Sequence, residues 1–265
     1  MYAFNYHRPD SVSAAAAILA KGGDAKLLAG GQTLIPAMKL RLASPGEIID
    51  LGRVSELTGI STEGKVLVIG AMTPHAMVAG SPAVKSAVPA LAELAHMIGD
   101  PAVRARGTIG GSIANNDPAA DYPAACLGLG ATIVTNKQEI AADAFFKGIF
   151  ETALGDGEII TKVKFPAPEK AAYAKFPNPA SRFALVGVFI AKTGSGVRVA
   201  VTGAGSNGVF RVPALEAALA KSFTPEAIAG VKVGSDGLNS DIHADAAYRA
   251  HLIGVMAKRA VAAAH

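Results

Sequence analysis

The 265-residue chain has one cysteine and no tryptophan. A single thiol excludes an internal disulfide, and it excludes an iron–sulfur cluster held by this chain alone, because a cluster needs several thiolates. That thiol, Cys126, sits in the apolar run Ala124–Leu129, a context that predicts a buried structural cysteine. Aromatic residues make up 6% of the chain, which leaves few stacking platforms for single-stranded nucleic acid. The 25 Lys and Arg outnumber the 21 Asp and Glu only slightly and are scattered singly, so no nucleic-acid partner is expected. No apolar run approaches the roughly 20 residues of a membrane span. The first ten residues lack the basic and apolar regions of a signal peptide, and a cytoplasmic location is the default expectation. The histidines lack metal-ligand spacing, and no G-x-x-x-x-G-K-[ST] phosphate loop occurs.

What is present is glycine in two special places. With 51% hydrophobic residues and a mean hydropathy of +0.34, the length suits about two domains with a substantial core. Lys26–Leu28 reads as a strand that runs into Ala29-Gly30-Gly31-Gln32-Thr33-Leu34-Ile35-Pro36, and a helix is expected over Leu34–Leu40 with Thr33 as its cap. A second loop, Arg104-Ala-Arg-Gly107-Thr108-Ile109-Gly110-Gly111-Ser112-Ile-Ala-Asn-Asn-Asp-Pro-Ala-Ala-Asp121-Tyr-Pro123, surrounds Thr108 and Ile109 with Gly107, Gly110 and Gly111. Both loops are expected to bring backbone N–H groups close to phosphate, with φ > 0 and no Cβ in the way. Two such cradles suggest a diphosphate held between them.

Elsewhere the chain alternates strands and helices. Glu47–Leu51, Val66–Ile69, Thr132–Thr135 and Glu158–Phe165 read as strands, with Pro89–Ile98 as a helix ended by Gly99 and Thr73 as the cap of another at Pro74-His75. Pro166 and Pro168 mark a boundary. Beyond it, Phe183–Ala191 and Val197–Val201 predict antiparallel strands, and helical patterns follow at Ala214–Leu219, Pro225–Ala229 and Ala246–Ala263. Gly203-Ala-Gly-Ser-Asn-Gly208 spells a dinucleotide fingerprint, but the following Val209–Val212 is extended where that motif must open a helix, so it reads as a turn.

The loops AGGxxLIP and GTIGG…DPxxDxP resemble those of the flavin-binding medium subunit of the molybdenum hydroxylases, a family that includes carbon monoxide and xanthine dehydrogenases, and the resemblance covers nearly the whole chain. It implies an α+β fold: a two-subdomain, PCMH-type FAD-binding domain over residues 1–168 (subdomains about 1–55 and 56–168), then a C-terminal domain of antiparallel sheet plus helices over 169–265. It implies an FAD contacted by Ala29, Gly30, Gly31, Gln32, Thr33, Leu34 and Ile35 from the first loop and by Thr108, Ile109, Gly110, Gly111 and Ser112 from the second. Ser112 stands where the family usually has asparagine and loses a donor. Asp121 matches the last acid of DPxxDxP, which could bind ribose or order the loop; an Asx-turn or helix cap is the alternative. Ile160 matches a position beside the flavin, and Lys175 a basic position near the isoalloxazine, where a cation raises the flavin potential. The resemblance further implies a small [2Fe–2S] subunit and a large molybdopterin-bearing subunit, assembled as a dimer of heterotrimers, with electrons passing from the clusters through FAD to an external acceptor. A stand-alone flavin oxidoreductase or a non-catalytic flavin- or nucleotide-binding protein are the other readings; the first needs a general base that the sequence does not display.

Overall fold

A computed structural model describes residues 1–265. The first unit comprises β1 (Asn5–His7), α1 (Val12–Leu19), β2 (Ala25–Leu28), α2 (Leu34–Lys39) and β3 (Glu47–Asp50). Its three strands are all parallel, in the order β1-β3-β2. Ser11 starts α1 by accepting the Ala14 N–H, and Gly22 and Gly23, both at positive φ, turn the chain into β2. Parallel pairing obliges the chain to cross over after β2. That crossover carries the first glycine loop and α2.

The second unit begins with β4 (Ile60–Glu63) and β5 (Val66–Gly70). A helical run follows: α3 (His75–Gly80), α4 (Pro82–Ala87), α5 (Pro89–His96), α6 (Pro101–Arg106), α7 (Ile109–Asn115) and α8 (Tyr122–Leu129). It closes with β6 (Thr132–Thr135), β7 (Glu139–Ala141), α9 (Ala142–Phe145), β8 (Phe146–Gly148), β9 (Glu151–Thr152) and β10 (Ile160–Pro166). Five of these strands form an antiparallel sheet in the order β4-β5-β10-β6-β7. Proline occupies the first turn of α4, α5, α6 and α8, where its missing N–H has no helical partner to lose. The stretch after Asp100, which reads in sequence as a lead-in to the second loop, is the helix α6; Asp100 caps it by accepting the Val103 N–H.

The last unit is β11 (Lys170–Pro177), β12 (Ala184–Thr193), β13 (Gly196–Thr202), β14 (Phe210–Arg211), α10 (Pro213–Lys221) and α11 (Ala246–Ala263). The four strands pair antiparallel in chain order. Residues Gly203–Gly208 form a turn between β13 and β14, with Gly203 and Gly208 at positive φ. One face of this sheet packs on α10 and α11 through Val186, Val188, Ile190, Leu215, Ile253 and Met256. The other face joins the second unit: Tyr173, Phe189, Ala191 and Ala200 lie in one core cluster with Leu67, Ile69, Leu91, Cys126 and Phe165. Cys126 is fully buried, and burial pushes its thiol well above the ordinary range.

Arg249 of α11 is 2% exposed. Its Nη1 donates to the carbonyls of Leu185 (2.7 Å) and Gly203 (3.0 Å), and its Nη2 to Asp241 Oδ2 (2.7 Å). It therefore ties α11, the start of β12 and the end of β13 together. Arg249→Ala leaves two buried carbonyls unpaired and is expected to cost ~2–5 kcal/mol. The change in urea unfolding midpoint, read with the slope, measures it.

Candidate functional site

Between the three units lies a cleft of about 840 Å³. Its first wall is the loop after β2. Gly31 has φ +75, and the backbone N–H groups of Gly30, Gly31, Gln32, Thr33 and Leu34 donate to no other group of the chain. One left-handed residue inside such a row turns successive amides toward a common side, a concavity that receives anions. The row runs directly into α2, whose helix dipole adds to the same positive end. Thr33 makes no side-chain cap bond, so the expectation that it caps α2 is not met: its backbone is itself near-helical, which swings the hydroxyl away from the N–H groups it would have to reach.

The second wall is α7, and here the chemistry differs from the sequence expectation. Gly107, Gly110 and Gly111 are not at positive φ, and the first amides of α7 are already spent. Ile109 N–H donates to Thr73 O (3.2 Å), Gly110 N–H to Ala71 O (2.8 Å) and Gly111 N–H to Thr108 Oγ1 (3.2 Å). The glycines serve close packing instead. A Cβ on Gly110 would stand 2.5 Å from the Ala71 Cβ, one on Gly107 would stand 2.6 Å from His75 Nε2, and one on Gly30 would fall into the Arg106 carbonyl oxygen. With those amides spent, the hydrogen-bonding side chains that the start of α7 brings to the cleft lining are those of Thr108 and Ser112. Thr73 also departs from its expected capping role. Buried completely, its hydroxyl bridges Gly59, accepting from the N–H and donating to the carbonyl at 3.1 Å each, while Pro74 takes the position before α3.

The remaining expected residues divide. Ala29, Gly30, Gly31, Gln32, Thr33, Leu34, Thr108, Gly110, Gly111, Ser112, Asp121 and Ile160 line the cleft, whereas Ile35, Ile109 and Lys175 lie behind its walls. Asp121 precedes α8 without capping it. Its carboxylate instead accepts from the Tyr173 hydroxyl (2.5 Å) and from Lys175 Nζ (3.0 Å), and Lys175 Nζ also donates to Met97 O (3.1 Å). The pair is nearly sealed from solvent, with side-chain exposures of 3% for Lys175 and 5% for Asp121. Burial pushes the Asp121 carboxyl up, against the pull of Lys175 and Tyr173. Burial and the adjacent Asp121 hold the Tyr173 hydroxyl in its donor form. Asp117 closes an Asx turn by accepting the Ala119 N–H at 2.9 Å, and Arg104 anchors the loop before α6 through the Ile98 and Gly99 carbonyls.

The second loop ends on firm supports, since Thr202 Oγ1 donates to Ala120 O and Gly203 N–H to Pro118 O (2.8 Å). A family model describing the FAD binding domain in molybdopterin dehydrogenase matches residues 2–168. The chain belongs to this flavoprotein family. It is 38% identical to the carbon monoxide dehydrogenase medium chain of Hydrogenophaga pseudoflava, over 98% of this chain and 96% of that one. It is 36% identical to the nicotine 6-hydroxylase medium subunit of Paenarthrobacter nicotinovorans, over 98% and 96%. The solved structure of the H. pseudoflava carbon monoxide dehydrogenase lacking the Mo-pyranopterin moiety superposes with a TM-score of 0.88 at 39% identity, covering 99% of this chain and 97% of that one. The α+β fold and the FAD-binding domain are thus those of a molybdenum-hydroxylase medium subunit, an oxidoreductase component. No helix is long and apolar enough to cross a membrane.

Several residues of this medium subunit's cleft carry no signal in sequence. His75, Phe150, Glu158, Arg182 and Phe183 all line it; they arrive from four separate places, Arg182 and Phe183 sharing the β11–β12 connection, so only the tertiary fold assembles them. His75 is buried against Gly107 and the Tyr122 ring (centroids 5.3 Å apart), with Nδ1 unpartnered. Burial, with a smaller push from Arg104, lowers its pKa to about 4. The unfolded chain, near 6.5, binds the proton more tightly. His75 therefore stabilises the fold fully above pH 6.5 and loses that contribution as pH falls toward 4, a swing of about 3 kcal/mol. The expected outcome is that His75→Gln flattens the stability–pH curve between pH 6.5 and 4; an unchanged slope in a urea titration series refutes it.

Proposed function

We propose that this chain is the FAD-carrying electron-transfer subunit of a heterotrimeric molybdenum hydroxylase, passing electrons from iron–sulfur clusters on a small partner subunit to an external acceptor, while a large molybdopterin-bearing subunit oxidises the substrate. The observation that carries this reading is the row of unspent amides from Gly30 to Leu34, opening onto a cleft of about 840 Å³ in a chain of this family. The named relatives work as components of dehydrogenases and hydroxylases, which supports placing this chain in a comparable assembly, a dimer of heterotrimers in the cytoplasm. On this reading residues 1–168 form the flavin domain and 169–265 the C-terminal domain.

The donor set suits a dinucleotide. The Gly30–Leu34 amides and the α2 N-terminus would hold the diphosphate with neutral dipoles and no lysine, a binding mode fit for a cofactor that is retained rather than hydrolysed. Thr108 and Ser112 would supply hydroxyl donors from the facing wall, and Ile160 an apolar surface. Asp121 would offer the cleft one face of a carboxylate whose charge is already half-answered by Lys175 behind it. Lys175 then acts through Asp121 rather than by touching the ring. FAD, when bound, would supply a carrier that can take up electrons one at a time from the clusters and hand on two to an acceptor.

Two measurements test this. Chromophore extracted from the purified protein is expected to run as FAD, and the complex isolated from its native source to contain iron and molybdenum on other chains; FMN, or a single-chain enzyme turning over substrate without either metal, overturns the reading. Gly31→Ala places a side chain at φ +75 and a Cβ 2.6 Å from Ile35 Cδ1, so it is expected to weaken FAD binding by about tenfold or more. Gly22→Ala, at φ +77 with nothing within 4 Å, carries the same backbone strain away from the cleft and is expected to bind FAD like the parent.

A further inference from the structure

Phe150 combines two unfavourable features. It sits at φ +56, a region where a bulky side chain is an outlier, and the residue is 60% exposed. A residue in that state contributes little to the core, and its backbone strain of the kind usually kept at functional positions has to be held by its surroundings. The holding group is Asn116. Its side-chain Nδ2 donates to Gly148 O at 2.8 Å and to Glu151 O at 2.9 Å, and its backbone carbonyl accepts the Phe150 N–H at 3.2 Å. One side chain thus clamps both strands of the β8–β9 hairpin on either side of its tip.

Asn116 is itself 1% exposed and left-handed, at φ 44. It caps the C-terminal end of α7, the helix whose first turn forms the second wall of the cleft. Its chain neighbours Asn115 and Asp117 line the cleft, and Asn116 does not; Phe150, which it holds, does. The connection runs from the hydroxyl wall at Thr108 and Ser112, through α7 and Asn116, to an aromatic ring returned to the same cavity.

We propose that Phe150 is a further contact for the bound ligand, an aromatic face against a planar heteroaromatic ring, and that Asn116 is the positioning residue that keeps it there. This rests on the reading of the cleft as an FAD site. The exposure of Phe150 is then the exposure of a binding surface, and the strained backbone is what points it inward from a hairpin that would otherwise turn its tip to solvent.

The test uses the full chain in the complex as it purifies, with three variants. Phe150→Ala is expected to keep stoichiometric FAD and the parent unfolding midpoint, while FAD release becomes roughly 3- to 10-fold faster and iodide quenches the flavin fluorescence more strongly. Phe150→Tyr is expected to restore both. Asn116→Gly keeps the left-handed backbone without strain and removes only the clamp; it is expected to reproduce the release and quenching changes, and adding Phe150→Ala to it to change neither further. Parent-like release and quenching in Phe150→Ala overturn the proposal alone. Additive effects of the two substitutions overturn the positioning role of Asn116. A parent protein that binds no FAD overturns the underlying reading, and the proposal with it.

Discussion

The cleft depends on a steric constraint: two backbone segments from different units approach more closely than any side chain permits. Gly30 rests on the Arg106–Gly107 backbone and Gly111 lies against Ala29, while within the second unit Gly110 sits on Ala71 and sets the position of α7. Remove the Cβ-free positions and the parallel unit cannot seat against α7, so the first loop's amides no longer face the hydroxyls of Thr108 and Ser112. The glycines of the second loop thus build the cavity rather than greet its occupant. This follows from their hydrogen bonds, since the amides they would offer are already donated to Ala71 O and Thr108 Oγ1.

That division of labour gives the two loops unequal roles. One offers unspent backbone dipoles, the other a packed wall with hydroxyls. An anion drawn to the first meets a partner surface on the second that can adjust by rotating a side chain. The buried Asp121–Lys175–Tyr173 group stands apart from both. It fastens β11 to the segment before α8 and sets the charge of the cleft wall through an ion pair that water barely reaches.

Much of this was legible in the sequence for local reasons. Apolar patterning announces β2, β3, β6 and α11, and a first-turn proline with a closing glycine announces α5, because those signals act within a few residues. The first loop was readable for the same cause: Gly31 needs its positive φ whatever surrounds it. The second loop is visible as a motif, but its amides are not readable as free or spent, because that depends on Ala71 and Thr73, residues more than thirty positions away. Lys175 was placed at the site by resemblance, and only the geometry puts it behind Asp121. His75 and Phe150 were unreadable as cleft residues, since a histidine after a proline and a phenylalanine between isoleucine and glutamate say nothing about the cavity they will face. The helix α6 has a standard start in Asp100-Pro101, but at six residues it is too short to show a hydrophobic period.

The core that Tyr173, Phe189, Ala191 and Ala200 share with Leu67, Leu91 and Cys126 has an evolutionary side. At Gly128 an added Cβ would stand 2.6 Å from the Phe189 ring, so a helix of the middle unit and a strand of the last are fitted to each other residue against residue. A larger residue at Gly128 then calls for a compensating change at Phe189, so the sequences of the two units are coupled at this contact.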